Sequence, residues 1–227
     1  MEHVNTGTAQ NVTSAATQKV LRNTYMLLGM TLAFSALTAG ISMSMNLGGG
    51  AAMIMSLAAL ALVWFVLPRT ANTAMGLPVV FLFTGLLGAA LGPMLNRYLA
   101  LPNGSEMVMQ ALGGTAIIFF SLSAYVLTTK KDFSFMGGFL FAGLMVVIVG
   151  AIGAMVASYF FGVDVSLFSL VISGAIVLLM SGFILFDTSR IINGGETNYI
   201  MATVGLYLNI YNLFTSLLHI IGATSDD

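Results

Sequence analysis

The sequence predicts an all-α integral membrane protein, a bundle of seven transmembrane helices with the last helix in its interior. Three observations predict it. Charged residues make up 7% of the 227 and hydrophobic residues 58%, whereas a soluble domain carries about 25% charge, so no water-facing surface can be assembled. Uncharged apolar runs recur at the length a bilayer demands, roughly 20 residues for a core about 30 Å thick at 1.5 Å of rise per residue. The last of these runs carries a one-sided polar stripe. The runs are continuous and rich in Ala, Leu and Met, without the period-two alternation of barrel strands, so they are read as helices.

The first run, Tyr25 to Met45, carries Thr31, Ser35, Thr38 and Ser42 at steps of four, three and four. Their hydroxyls can bond their own backbone, which makes them packing residues at membrane depth. The second run, Ala51 to Leu67, is short, which leaves six crossings as the alternative count. The third, Leu77 to Leu95, holds Gly85, Gly88, Ala89 and Gly92, spaced for close helix approach. Pro93 is expected to kink or end it, because proline lacks the donor for its turn. The fourth is Met107 to Leu127, and the fifth, Gly137 to Phe161, repeats the small-residue pattern at Gly143, Gly150 and Gly153.

The sixth run, Ser166 to Phe186, ends on Asp187. A carboxylate there opposes the negative end of the helix dipole. Two readings stand: a solvated helix end paired with Arg190, or a pH-sensitive latch between the sixth and seventh helices. The seventh run, Ile200 to Ile221, carries the polar stripe, which is Asn198, Ala202, Gly205, Asn209, Asn212, Ser216 and His219 at steps of four and three. Polar side chains are costly against lipid tails, so this face is expected against protein or water. The same stripe serves either as hydrogen-bonding glue or as the lining of a pathway. Asp187, Arg190, Asn209, Asn212, Ser216 and His219 are therefore the candidate latch and pathway residues.

Residues 1–22 read as a cytoplasmic, mobile tail and 23–227 as the membrane domain. Met1 to Gln18 is rich in Thr, Asn, Gln, Ala and Val and has no apolar core segment of a cleavable signal. The connectors are too short to fold on their own, which leaves no extramembrane domain to hold a soluble active site. With the N-terminus cytoplasmic, Lys19, Arg22, Arg69, Lys130, Lys131 and Arg190 fall on the cytoplasmic side and only Arg97 on the other, a positive-inside bias. Seven crossings put the C-terminus outside, periplasmic in a bacterium.

Cys is absent, which excludes disulfides, thiol catalysis and thiolate metal sites. The formal net charge of -1 gives no nucleic-acid footprint. The two His, no paired-Asp motif and no Gly-rich phosphate loop leave no catalytic constellation. No enzyme, cofactor or metal centre is expected.

Three motifs carry a family resemblance: Phe-Asp-Thr-Ser-Arg-Ile-Ile from Phe186, Gly-Gly-Glu-Thr-Asn-Tyr-Ile from Gly194, and Leu-Tyr-Leu-Asn-Ile-Tyr-Asn-Leu-Phe from Leu206. With them the chain resembles the Bax inhibitor-1 family over essentially its whole length. Val-Leu-Arg-Asn-Thr-Tyr from Val20, Thr-Leu-Ala-Phe-Ser-Ala-Leu-Thr-Ala from Thr31, Ala-Leu-Gly-Gly-Thr-Ala from Ala111 and Ser-Ala-Tyr-Val-Leu-Thr-Thr-Lys from Ser123 look closest to the bacterial inner-membrane branch that modulates an FtsH-type protease. The resemblance implies seven helices with the last wrapped by the other six. It also implies a bacterial inner-membrane location and a membrane-bound AAA protease as partner, to which the N-terminal tail is offered.

Other members of the family are pH-dependent calcium leaks, attributed to two Asp residues that share a proton. Asp187 matches the first of these positions, but the second falls on Asn209, an amide. The resemblance therefore puts calcium or protons second to the protease as partners.

Overall fold

The computed structural model describes residues 6–224, with side chains from residue 15 onward, and seven of its helices are long and apolar enough to cross a membrane. They are α1 (Thr6–Ser44), α2 (Gly49–Thr70), α3 (Gly76–Leu99), α4 (Gly104–Thr129), α5 (Gly137–Phe161), α6 (Ser166–Ile192) and α7 (Tyr199–Thr224). Among the described residues there is no strand. The short second run lies in a helical stretch of 22 residues that is long and apolar enough to cross, in line with seven crossings rather than six.

Three features depart from the sequence reading, besides the extension of α6 past Phe186 to Ile192. First, α1 begins at Thr6 rather than Tyr25. The stretch before the membrane run contains no proline, and its Ala and Gln residues are good helix formers, so nothing stops a helix already nucleated in lipid from propagating backwards. Of the expected tail, residues 1–5 lie outside the described residues. Second, α3 does not end at Pro93 but continues to Leu99 with Pro93 buried inside it. Neighbouring helices in a membrane tolerate the lost bond. Third, α2 widens into a π-type turn at Leu62–Val66, just before Pro68. A wider turn there relieves the clash of a proline ring with the carbonyl four residues earlier.

Helix α7 is the axis of the bundle, packed against α6, α4, α1 and α3. Ala202, Asn209 and Ser216 of the polar stripe are buried, and Gly205, Asn212 and His219 are partly buried. Thr203, Leu206, Tyr207, Leu213 and Leu218 on its other sides are buried too. In contrast, α2 packs chiefly on α3 and α5 chiefly on α6. Both turn large apolar side chains outward, among them Trp64 and Phe139, as lipid-facing helices do. Of the glycines in α5, Gly143 meets Leu179 and Gly150 meets Phe168 and Ile172 of α6, whereas Gly153 faces open space and is no packing device.

The tightest seam joins α1 to α3. A Cβ added at Gly85 would meet the Phe34 ring, at Gly88 the Ser35 carbonyl and the Thr38 hydroxyl, and at Gly92 the Ser42 side chain. The hydroxyls of α1 divide their roles. Those of Thr31 and Thr38 donate to the carbonyls of Leu28 and Ser35, both at 3.0 Å. Ser35 instead shares a 2.7 Å hydrogen bond with the Tyr207 hydroxyl of α7, which also reaches the Thr84 carbonyl of α3 at 3.2 Å. One tyrosine thus ties three helices together, a knot that no sequence stripe announces.

Candidate functional site

The strongest site for chemistry lies where α6 and α7 cross. We call the side of the membrane on which α1 begins the near side. Asp187 sits five residues before the near-side end of α6, about 7.5 Å along its axis. Its Oδ2 accepts a hydrogen bond from Asn209 Nδ2 of α7 at 2.7 Å. Gly205 makes room one turn earlier on α7, because a Cβ there would stand 3.2 Å from that same oxygen. An acceptor-only carboxylate thus meets an amide donor in the half-buried interior, a charge-assisted bond between two helices.

The expected pairing of Asp187 with Arg190 is not observed. Arg190 turns outward to Glu196, with Nη2 3.6 Å from Oε2, donates to the Gly195 carbonyl at 3.1 Å and lies over the Phe186 ring. The connector Asn193–Asn198 folds back under the helix end, bringing Glu196 and a free carbonyl to the guanidinium, which suits its forked donors better than one carboxylate. Asp187 therefore depends on Asn209 for its partner among the described residues.

Two polar clasps close the near side around this pair. The Oδ1 of Asn198 caps α7 by accepting from the backbone N–H groups of Ile200 at 2.8 Å and Met201 at 3.1 Å. Its Nδ2 donates to the Ala71 carbonyl at 3.1 Å and to Asn72 Oδ1 at 2.7 Å. One residue thus caps the last helix and fastens the connector between α2 and α3. On α6, Ser189 Oγ accepts from the Phe133 N–H at 2.8 Å and from Asn193 Nδ2 at 3.2 Å, which fastens the connector between α4 and α5. Asn198→Ala removes both the cap and the clasp and is expected to lower stability by about 2 kcal/mol, the upper end for a lost cap. Asn198→Asp keeps the capping oxygen and should cost less. Thermal unfolding in detergent measures both.

The remaining candidates do not converge on the Asp187–Asn209 pair. Asn212 Nδ2 donates to the Leu208 carbonyl of its own helix at 2.8 Å. Ser216 is buried further along α7, and His219 Nδ1 lies 2.8 Å from Ser173 Oγ of α6, towards the far side. The stripe is thus resolved into separate inter-helix and intra-helix bonds, with Asn209 and His219 each bonded to α6. Sequence reading missed the buried hydroxyls of Thr24, Tyr25, Ser123 and Thr188, which have no hydrogen-bond partner among the described residues. Single hydroxyls in apolar runs leave no spacing signal. No group of three or more metal-ligating side chains is found among the described residues.

Known proteins resemble this chain over most of its length. Residues 17–226 match the family model described as inhibitor of apoptosis-promoting Bax1. The chain is 48% identical over all 227 residues, covering 100% of both chains, to the modulator of FtsH protease YccA of Escherichia coli. It is 53% identical over 211 residues, 93% of this chain and 92% of the relative, to an uncharacterized membrane protein of Vibrio cholerae. A protein of Pseudomonas aeruginosa is 49% identical over 208 residues, 92% and 90% of the two chains.

Proposed function

We propose, from the premise that this chain belongs to the Bax inhibitor-1 family, that it is an inner-membrane protein that binds a membrane-bound ATP-dependent protease of the FtsH type and modulates it. The observation that carries the reading is the end-to-end identity of 48% with a relative named for that role. Two features of the bundle suit it. The seven spans, the knotted Tyr207 core and the near-side clasps at Asn198 and Ser189 make the protein costly to pull from the bilayer. A protease that extracts its membrane substrates before cleaving them would be held up on it.

The same reading has the N-terminus in the cytoplasm. Six of the seven basic residues, Lys19, Arg22, Arg69, Lys130, Lys131 and Arg190, fall on the near side and only Arg97 on the far side, so the positive-inside rule puts the near side in the cytoplasm. Residues 1–18 then stand where a cytoplasmic ATPase ring could take hold of them. A cation leak is the second reading, and one observation favours it: Asp187 and Asn209, at the two positions that the family's leak members fill with aspartates, are in contact.

Purification of the full chain in mild detergent, with identification of co-eluting proteins, tests the first reading. A membrane AAA protease is expected to co-elute. Deleting residues 1–18 should leave insertion intact and change the turnover of the protein, or its effect on degradation of a reporter membrane substrate. A protein that elutes alone, with turnover and reporter degradation unchanged by the deletion, overturns the reading.

A further inference from the structure

On the far-side half of the bundle, a cavity of about 280 Å³ opens between α1 and α4 and is floored by α7. Its walls include Ala36 and Gly40 of α1, Leu91 of α3, Leu112 of α4, and Tyr211 and Phe214 of α7. Helix α1 packs extensively on α3 and α7 but not on α4, which leaves this side of the bundle unsealed. Beside the mouth, Leu37, Ile41, Met109 and Leu112 are exposed, on helices that cross the bilayer. The cavity therefore opens sideways into lipid.

We infer that this groove is a binding site for one acyl chain of a membrane phospholipid. Water does not suit it, because a buried water needs two to four polar partners. The Ser35 and Tyr207 hydroxyls are bonded to each other, and Thr115 donates to the Ala111 carbonyl at 2.7 Å, which leaves the Tyr211 hydroxyl as one partner where a water needs at least two. A partner's transmembrane helix does not fit either. Even with the open space at its mouth counted, the volume of about 820 Å³ would hold only about 10 Å of a helix 10 Å across, where a crossing helix runs about 30 Å. A single file of methylenes fits such a volume and restores the dispersion contacts that an empty groove forfeits. The mouth lies where the acyl chains of the far leaflet stand. Bound this way, the lipid bridges α1 and α4 and completes the wall around α7.

Gly40 provides the test, since it lines the groove and a Cβ there meets nothing within 4 Å, which leaves room for a larger side chain to enter. The full chain is placed in liposomes of phosphatidylethanolamine and phosphatidylglycerol, doped with a phosphatidylethanolamine carrying a diazirine on one acyl chain. After photolysis, adducts are mapped by mass spectrometry. Adducts on the peptides containing Leu112 and Tyr211 should exceed those on lipid-facing α5 at Phe139 and Met145. Gly40→Phe should lower the groove adducts about tenfold, the change that a modest loss of affinity produces. Gly153→Phe, on exposed α5 with equally open space, should leave them unchanged.

A second measurement places a photo-crosslinking amino acid at Leu112 in cells. Crosslinks to lipid support the site, and crosslinks to a protein's transmembrane segment overturn it. Groove labelling no stronger than that of α5, or unaffected by Gly40→Phe in a variant that still inserts, also overturns it.

Discussion

Gly88→Leu is expected to break the bundle. The Cβ at this position would press on the Ser35 carbonyl of α1 and on the Thr38 hydroxyl, and a backbone oxygen cannot rotate away as a flexible side chain can. Either α1 moves off α3 or α3 shifts as a whole. Overpacking costs about 1–3 kcal/mol where side chains can adjust, and more where they cannot. The Ser35–Tyr207 bond of 2.7 Å lies on the same seam and would be lost with it. A change of about 3 kcal/mol is a large part of a folding stability of 5–15 kcal/mol. For a chain of this length it corresponds to a fall of roughly 10 °C in Tm. Gly113→Leu, where an added Cβ meets nothing within 4 Å, is the control and should change little. Thermal unfolding of both variants in detergent checks the prediction. Equal Tm values would mean that α1 and α3 are not in the contact described.

The same seam shows what the sequence carries and what it hides. The seven crossings were legible because lipid imposes a length and excludes charge, and both are read by counting. The interior place of α7 was legible because Asn209 and Ser216 cannot face hydrocarbon. The equal burial of α3 was not, even though Val80, Phe83 and Thr84 are fully enclosed. Hydropathy separates apolar from polar, and in a membrane the protein interior and the lipid are both apolar. Only the glycines at 85, 88 and 92 marked that face.

At the site, Asp187 was legible as an isolated carboxylate, and its contact with Asn209 followed from the family resemblance rather than from spacing. The partner of Arg190 was not legible. Its choice of Glu196 over Asp187 depends on how the connector folds beneath α6, and no helical periodicity reports on a loop. Asn198 as a clasp was hidden for the same reason. Its capping role can be read beside α7, but its bond to Asn72 joins residues 126 apart in sequence.

Asn209→Asp is expected to create or strengthen a pH response in this protein. In the native site, Asp187 accepts a hydrogen bond from an amide that keeps its N–H at every physiological pH, so only Asp187 itself can change charge there. The substitution sets two carboxylates at the distance of that 2.7 Å bond. Two carboxylates so close resist simultaneous ionisation, share one proton and titrate as a unit. With one proton the pair keeps a hydrogen bond and holds α6 against α7. With none, like charges about 4 Å apart repel by on the order of 4 kcal/mol at an effective dielectric near 20, comparable to the stability of a helix contact. With two, the charge-assisted bond is gone. Contact between α6 and α7 should therefore be strongest in the single-proton window and weaken on either side. In proteoliposomes, cation flux through Asn209→Asp should be lowest in that window and rise outside it, with a steeper pH dependence than that of the native chain. Asp187→Asn should abolish whatever flux exists, and adding it to Asn209→Asp should remove the response. If the native chain already shows calcium flux with a steep pH dependence, and Asn209→Asp leaves that profile unchanged, then the contact between residues 187 and 209 does not control the bundle.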